Sequence, residues 1–265
     1  MPDRCWIYIA TLFTLLASLY AGHKAYSKPT SIHSPLLRAL LLFALLAQTL
    51  FLHFRGQSHG HCPTTNLFET LAFLNWSALL TYQLIGSRFR QSAVGLMTAP
   101  LATAINLLAI FLPVDFTTTY RIEGWAMELH IATTLIAYGI IGLAAMAALF
   151  YLIQQHLLKR RLPSPWIYTL PSINTLTYAQ TRLHGIGSVC LLAGLAVGIY
   201  QLHVQSQMPS IQFSAHLILA LFYLLLLYAS HRRLFSAKTI ARLLILAFIA
   251  SIAALNWLQG FSAGL

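Results

Sequence analysis

The chain has 265 residues, of which 58% are hydrophobic and only 8% are charged, and its mean hydropathy is +0.72. Soluble domains carry about 25% charged residues, so this composition excludes an ordinary soluble protein and indicates an integral membrane protein. The formal net charge of +11 does not indicate a nucleic-acid partner. The basic residues lie in short clusters between apolar runs, and none of these clusters is long enough to follow a phosphate backbone.

Eight apolar runs are long enough to cross the roughly 30 Å hydrocarbon core of a bilayer as helices. They cover residues 6–22, 35–54, 67–86, 93–112, 125–153, 183–203, 213–230 and 240–258. The first run has features of a signal peptide, since Arg4 precedes it, but Lys24 and Lys28 directly after it would resist translocation. We therefore predict an all-α, polytopic transmembrane bundle that forms one integral membrane domain over residues 1–265.

The distribution of charge predicts the orientation of these spans. All but three of the 16 Lys and Arg residues lie in connections on one side of the membrane. The three exceptions, Arg4, Arg55 and Arg121, lie on the side of both termini, together with all five acidic residues. Cytoplasmic loops are enriched in Lys and Arg, so we expect both termini outside, in a plasma (inner) membrane. The proline-containing connection at 160–181 predicts an irregular or interfacial segment.

The fifth predicted span is the most informative. Its apolar middle, residues 131–153, has no charged side chain, while Glu128 precedes it and a basic cluster follows it, so its beginning is expected to face outward. His130, Thr134 and Tyr138 are spaced by four residues and should lie on one side of the helix near the outer boundary. His130 and Tyr138 are therefore candidates for cofactor contacts. The small residues of this span, such as Gly139 and Gly142, favour close helix packing.

Eleven histidines in a chain with only five acidic residues are the strongest chemical signal. The predicted topology places His61, His130 and His203 toward the outer side, and His184 and His231 toward the inner side. Neutral imidazole can ligate haem iron or a transition metal, and a helical bundle can bring such ligands together from separate helices. For any one of them, the alternative is an interfacial residue that is hydrogen-bonded to the backbone.

A second histidine-rich feature is the tract His59-Gly60-His61-Cys62, which places three potential metal ligands within four residues. It could bind zinc or copper in a metal transporter, but it lacks the second ligand pair of a closed zinc site. The sequence contains no GxSxG, HExxH or Walker motif, so we predict no enzyme active site.

Several segments resemble one known family. Residues 61–76, HCPTTNLFETLAFLNW, resemble the H-x-P-x-S-N-L-Y-E-S-L-x-F-L-S-W segment of the CcsA/ResC-type cytochrome c assembly proteins. Leu129-His130, followed by 137–139, is similar to the L-H-V-S-M-M-x-L-x-Y-A segment of that family. Residues 227–232, LYASHR, are similar to its Y-L-H-T-R segment, and 256–258 resemble the N-L-L of its last helix.

The chain also departs from the family pattern at its outer side. The tryptophan-rich W-x-W-D motif of the family should fall between the sixth and seventh spans, but residues 203–215 contain neither Trp nor an acidic residue. Residues 260–265 contain no histidine, although the family has one after its last helix. The chain therefore looks more like the shorter YpjD/HemX-type branch of the family.

The resemblance implies a membrane protein that binds or hands over haem during cytochrome c biogenesis rather than an enzyme. His130 would be an outer axial ligand and His231 an inner one, and ligands near opposite faces are not expected to share one iron. His61 or His203 would complete the outer site, and His184 is the nearest inner candidate. The alternative is a haem-free accessory or permease-like subunit that acts through a second membrane protein.

Overall fold

The computed structural model describes residues 3–27, 34–59, 64, 66–85, 93–111, 124–160, 170–204 and 211–262. These residues form eight α-helices, and no β-strand occurs among them. The helices are α1 (Asp3–Ser27), α2 (Pro35–His59), α3 (Leu67–Ile85), α4 (Ala93–Phe111), α5 (Trp125–Lys159), α6 (Ile173–Val204), α7 (Ile211–His231) and α8 (Ala237–Ser262). The predicted all-α bundle is confirmed.

Seven of the described helices are long and apolar enough to cross a membrane, and the chain is a multi-pass membrane protein as predicted. The exception is α3, which coincides with the third predicted span but does not reach that apolarity. Its hydropathy is lower because its 19 residues include Glu69, Asn75 and Gln83.

Polar side chains build α3 into the bundle. Gln48 of α2 donates through Nε2 to the carbonyl oxygen of Ala72, at 3.0 Å. Asn75 donates through Nδ2 to Oδ1 of Asn106 in α4, at 2.7 Å. All three amide side chains are buried. Hydrogen bonds of this kind hold helices together where lipid provides no hydrophobic driving force, so α3 is a polar central helix of the bundle.

The helix α5 lies at the centre, in contact with α3, α4, α6 and α8. Glycines permit two of these contacts: a Cβ atom on Gly139 would clash with Ser77 of α3, and one on Gly142 would lie 2.8 Å from the Phe248 ring of α8. The predicted close packing of this span is therefore confirmed.

The helix α6 begins at Ile173, well before the predicted start at 183. The prediction of an irregular connection is wrong for residues 173–181, because Pro171 precedes the helix instead of interrupting it. Ser172 caps the first turn, where its Oγ accepts a hydrogen bond from the Thr175 amide at 3.3 Å. Residues 161–169 lie outside the described part of the chain.

Candidate functional site: buried histidines between α5, α6 and α7

His130 lies in the second turn of α5 and is only 7% exposed. Its Nδ1 atom is 2.6 Å from the carbonyl oxygen of Gly194 in α6. A carbonyl oxygen only accepts hydrogen bonds, so Nδ1 must carry the hydrogen, and the neutral ring then has its lone pair on Nε2. This backbone contact fixes both the orientation of the ring and the tautomer that can bind a metal through Nε2.

Two glycines of α6 make the close approach to His130 possible. A Cβ atom on Gly198 would lie 2.8 Å from Nδ1 of His130, and one on Gly194 would lie 2.8 Å from Oγ1 of Thr134. On the third side, the Phe213 ring of α7 lies 6.0 Å from the His130 ring, centroid to centroid. These glycines were not predicted as site residues from the sequence, although their four-residue spacing is the usual signal of a close interface between membrane helices.

Tyr138 is also buried, about 12 Å further along α5 than His130. Its ring lies 6.0 Å from that of His216 in α7. Within the described residues its hydroxyl has no hydrogen-bond partner, and neither has that of Thr134. The prediction that His130, Thr134 and Tyr138 share one side of α5 is confirmed, but Tyr138 contacts His216 and lies deeper than the His130 ring.

A further buried histidine, His184 of α6, is only 1% exposed and packs edge-on against Tyr223 of α7, with ring centroids 5.8 Å apart. Its Nε2 atom has no hydrogen-bond partner among the described residues. The Tyr223 hydroxyl, in contrast, lies 2.9 Å from the Ser251 hydroxyl of α8. The sequence predicts that His184 lies toward the cytoplasmic side of the membrane. In the structure its ring is buried inside the protein.

His231 is the last residue of α7 and is exposed. It is 18 residues beyond Phe213, which is about 27 Å along the helix axis. His130, which contacts Phe213, and His231 are therefore at opposite ends of the bundle and cannot share one iron. Tyr223, the neighbour of His184, lies about 12 Å from His231 along α7, so the structure does not bring His184 and His231 together.

Of the two remaining predicted ligands, only His203 lies in the described part of the chain, and it does not face His130. His203 is exposed near the end of α6, five residues after Gly198. This step turns about 140° around the helix, away from the face that meets His130. His61 lies outside the described residues. In the part of the chain that the structure describes, no group of three or more His, Cys, Asp or Glu side chains is arranged to hold a metal ion.

Asn66, Phe68 and Glu69, from the segment that resembles the family, have a structural role that was not predicted from the sequence. Asn66 Oδ1 accepts a hydrogen bond from the Glu69 amide at 2.9 Å and caps α3. Arg55 of α2 donates through Nε to Oε1 of Glu69 at 2.8 Å, and its guanidinium lies 5.7 Å from the centroid of the Phe68 ring. Both charged residues are buried. This cluster of Arg55, Asn66, Phe68 and Glu69 joins the end of α2 to the start of α3.

Comparison with known proteins places the chain among proteins of one family. A family model described as "Cytochrome C assembly protein" matches residues 64–260. The chain is 25% identical over 202 residues to Protein HemX of Brevibacillus brevis, an alignment that covers 75% of this chain and 74% of that protein. Protein HemX of Bacillus subtilis (strain 168) is 24% identical over 194 residues, with 72% and 69% covered. Cytochrome c biogenesis protein CcsA of Chlamydomonas reinhardtii is 27% identical over 170 residues, which are 61% of this chain but only 47% of that protein.

Proposed function

This chain belongs to the cytochrome C assembly protein family. We propose that it binds haem at the end of the bundle where His130 lies and handles this haem during cytochrome c assembly. Family membership supports the role in cytochrome c biogenesis. One observation carries the haem part of the proposal: Nδ1 of His130 donates to the Gly194 carbonyl at 2.6 Å. This bond leaves the Nε2 lone pair as the ligand atom.

The residues around His130 fit an axial ligand of haem. Histidine bound through Nε2 is a common haem ligand, and a hydrogen bond from the other ring nitrogen to a carbonyl increases its basicity. Gly194 and Gly198 hold the ring at a fixed angle, and Phe213 provides an aromatic wall beside it. Bound haem would supply the redox chemistry of its iron, while these residues hold and orient it.

The other predicted ligands remain part of the proposal. His61 or His203 would be the second ligand at the His130 end, and replacement of each in turn would show which one is used. His231 would be a separate inner ligand on the strength of the resemblance. The described residues that line the groove beside His231 include no second histidine, so an iron there would have a single imidazole from that groove.

An absorption spectrum of the purified protein, with and without reductant, tests the proposal. We expect a Soret band that His130→Ala removes or strongly weakens, because the axial ligand is lost. His53→Ala is the matched control, since His53 is exposed on α2 and should leave the band unchanged. A colourless wild-type protein that does not bind added haemin in detergent would refute haem binding. Equal spectra of the wild type and His130→Ala would refute the assignment of the ligand.

A haem-free accessory or permease-like subunit is the second candidate, and the packing of α5 favours it. An added Cβ atom on Gly187 of α6 would lie 2.6 Å from Ile141, so α5 and α6 pack with no space between them at this level. Such a subunit would act by contact with a second membrane protein. Full cytochrome c assembly in a strain with both His130→Ala and His231→Ala, together with co-purification of a stable partner, would support this function over haem binding.

A further inference from the structure

A groove of about 1160 Å³ lies at the basic end of the bundle, between α5, α6, α7 and α8. It forms where α6 and α7 separate: a Cβ atom on Gly185 of α6 would have Leu227 of α7 as its nearest neighbour, at 4.0 Å. The ends of α5 and α7 and the start of α8, which meet this groove, carry basic residues in the sequence, namely Lys159, Arg160, Arg161, Arg232, Arg233, Lys238 and Arg242. By the excess of Lys and Arg in cytoplasmic loops, this end is predicted to lie in the inner leaflet.

The charged residue of this groove is Arg182. Its guanidinium carbon lies 5.4 Å from the centroid of the Tyr178 ring, which holds the side chain at the groove by a cation–π contact. None of the five acidic residues of the chain is among the described residues that line the groove. Arginine stays charged and presents five N–H donors in a planar fork that suits a phosphate or a carboxylate. The groove therefore offers a cation without an acidic side chain to neutralise it.

The lining of the groove along α6 changes from polar to apolar. Asn174, Thr177, Thr181 and Arg182 come first, near the basic end, and Ile186, Val189 and Cys190 follow toward the membrane interior. From Arg182 to Cys190 the groove follows eight residues of α6, which is about 12 Å of helix. The hydrocarbon part of one leaflet is about 15 Å thick. Polarity and length thus match a lipid in the inner leaflet whose phosphate lies at Arg182.

We infer that this groove is a binding site for an anionic phospholipid. The phosphate contacts the Arg182 guanidinium, and an acyl chain lies along Ile186, Val189 and Leu227. Basic pockets between membrane helices on the cytoplasmic side are suited to anionic head groups for this reason. The inference rests on the charge and shape of the groove and does not depend on haem binding at His130. His231 also lines the groove, so a haem bound to His231 would compete with the lipid for the same space.

Electron paramagnetic resonance with spin-labelled lipids tests the inference on the full-length protein in detergent or nanodiscs. We expect the motionally restricted fraction to be larger for spin-labelled phosphatidylglycerol than for spin-labelled phosphatidylcholine. Arg182→Gln should lower the affinity for phosphatidylglycerol about fivefold, which corresponds to about 1 kcal/mol for one basic residue at the membrane surface. Gly185→Leu should also lower it, because the leucine side chain would fill the groove.

Arg232→Gln is the matched control. Arg232 lies 5.6 Å from the centroid of the Tyr228 ring, much as Arg182 lies against Tyr178, but it is not among the described residues of the groove. This variant should bind phosphatidylglycerol like the wild type. Equal affinities for the two lipids, or an Arg182→Gln variant that binds like Arg232→Gln, would overturn the inference. A loss of bound haem in Arg182→Gln with unchanged phosphatidylglycerol binding would also overturn it, since the residue would then bind porphyrin carboxylates.

Discussion

Replacement of Gly198 by alanine tests whether the packing of Gly194, Gly198 and Phe213 holds the His130 ring in place. An added Cβ atom would lie 2.8 Å from His130 Nδ1, 2.9 Å from its Cε1 atom and 2.8 Å from Cε2 of Phe213. Neither ring is the flexible end of a side chain, and the His130 ring is already held by the Gly194 carbonyl. Overpacking of this kind costs about 1–3 kcal/mol. A displaced ring would also lose a buried hydrogen bond, which adds about 1–3 kcal/mol.

The assay is unfolding in detergent by titration with SDS, combined with the Soret absorbance of the same samples. Gly198→Ala should lower the free energy of unfolding and the haem content together. Gly185→Ala in the same helix is the control, because its Cβ atom would have no neighbour closer than 4.0 Å. It should be neutral or more stable by about 0.5–1 kcal/mol, the usual gain over glycine within a helix. If Gly198→Ala is as stable as Gly185→Ala and binds as much haem, close packing at Gly198 does not position the His130 ring.

Two further predictions concern buried polar groups. Glu69→Ala should lower the free energy of unfolding by about 3–5 kcal/mol, because it leaves the buried Arg55 charge without that carboxylate. The free energy is measured by SDS titration, and a change below about 1 kcal/mol would contradict a buried ion pair. Tyr138→Phe should leave stability unchanged or raise it by about 1–3 kcal/mol, since a buried hydroxyl with no partner among the described residues is removed. Tyr223→Phe should lower stability by about 1 kcal/mol, because it loses the hydrogen bond to Ser251. An SDS titration of both tyrosine variants compares their free energies of unfolding, and an equal change in the two would contradict the assigned contacts.

The helices were predictable where an apolar run has a clear boundary. The predicted starts at 67, 93 and 125 coincide with those of α3, α4 and α5, because each run follows a polar connection and has the length of a span. The prediction was wrong for the start of α6. Its first turns contain Asn174, Thr177 and Gln180, and without an apolar run the sequence offers no signal for a helix that continues beyond the hydrocarbon.

Within one helix, the arrangement of the site was also predictable. The i, i+4, i+8 spacing of His130, Thr134 and Tyr138 follows from helix geometry alone. The contact between His130 and Gly194 joins residues that are 64 positions apart, and a single sequence contains no information on which helices pack together. For the same reason, His184 could be assigned to a side of the membrane but not to its neighbour Tyr223.

The two halves of the bundle bury different kinds of polar group, and this difference bears on function. Between α2, α3 and α4, the amide side chains of Gln48 and Asn75 hydrogen-bond across helices, although Gln48 Oε1, Asn75 Oδ1 and Asn106 Nδ2 have no partner among the described residues. Between α5 and α6, the hydroxyls of Thr134 and Tyr138 and Nε2 of His184 have no partner among the described residues. Each buried polar group without a partner lowers the free energy of unfolding by about 1–3 kcal/mol. Apolar side chains of similar size would remove that cost, and local departures from optimal packing are expected at functional sites. Ionisable groups inside a membrane domain indicate function, and the buried histidines His130 and His184 both lie on the α5–α6–α7 face. This face is therefore where a ligand should change the stability of this protein.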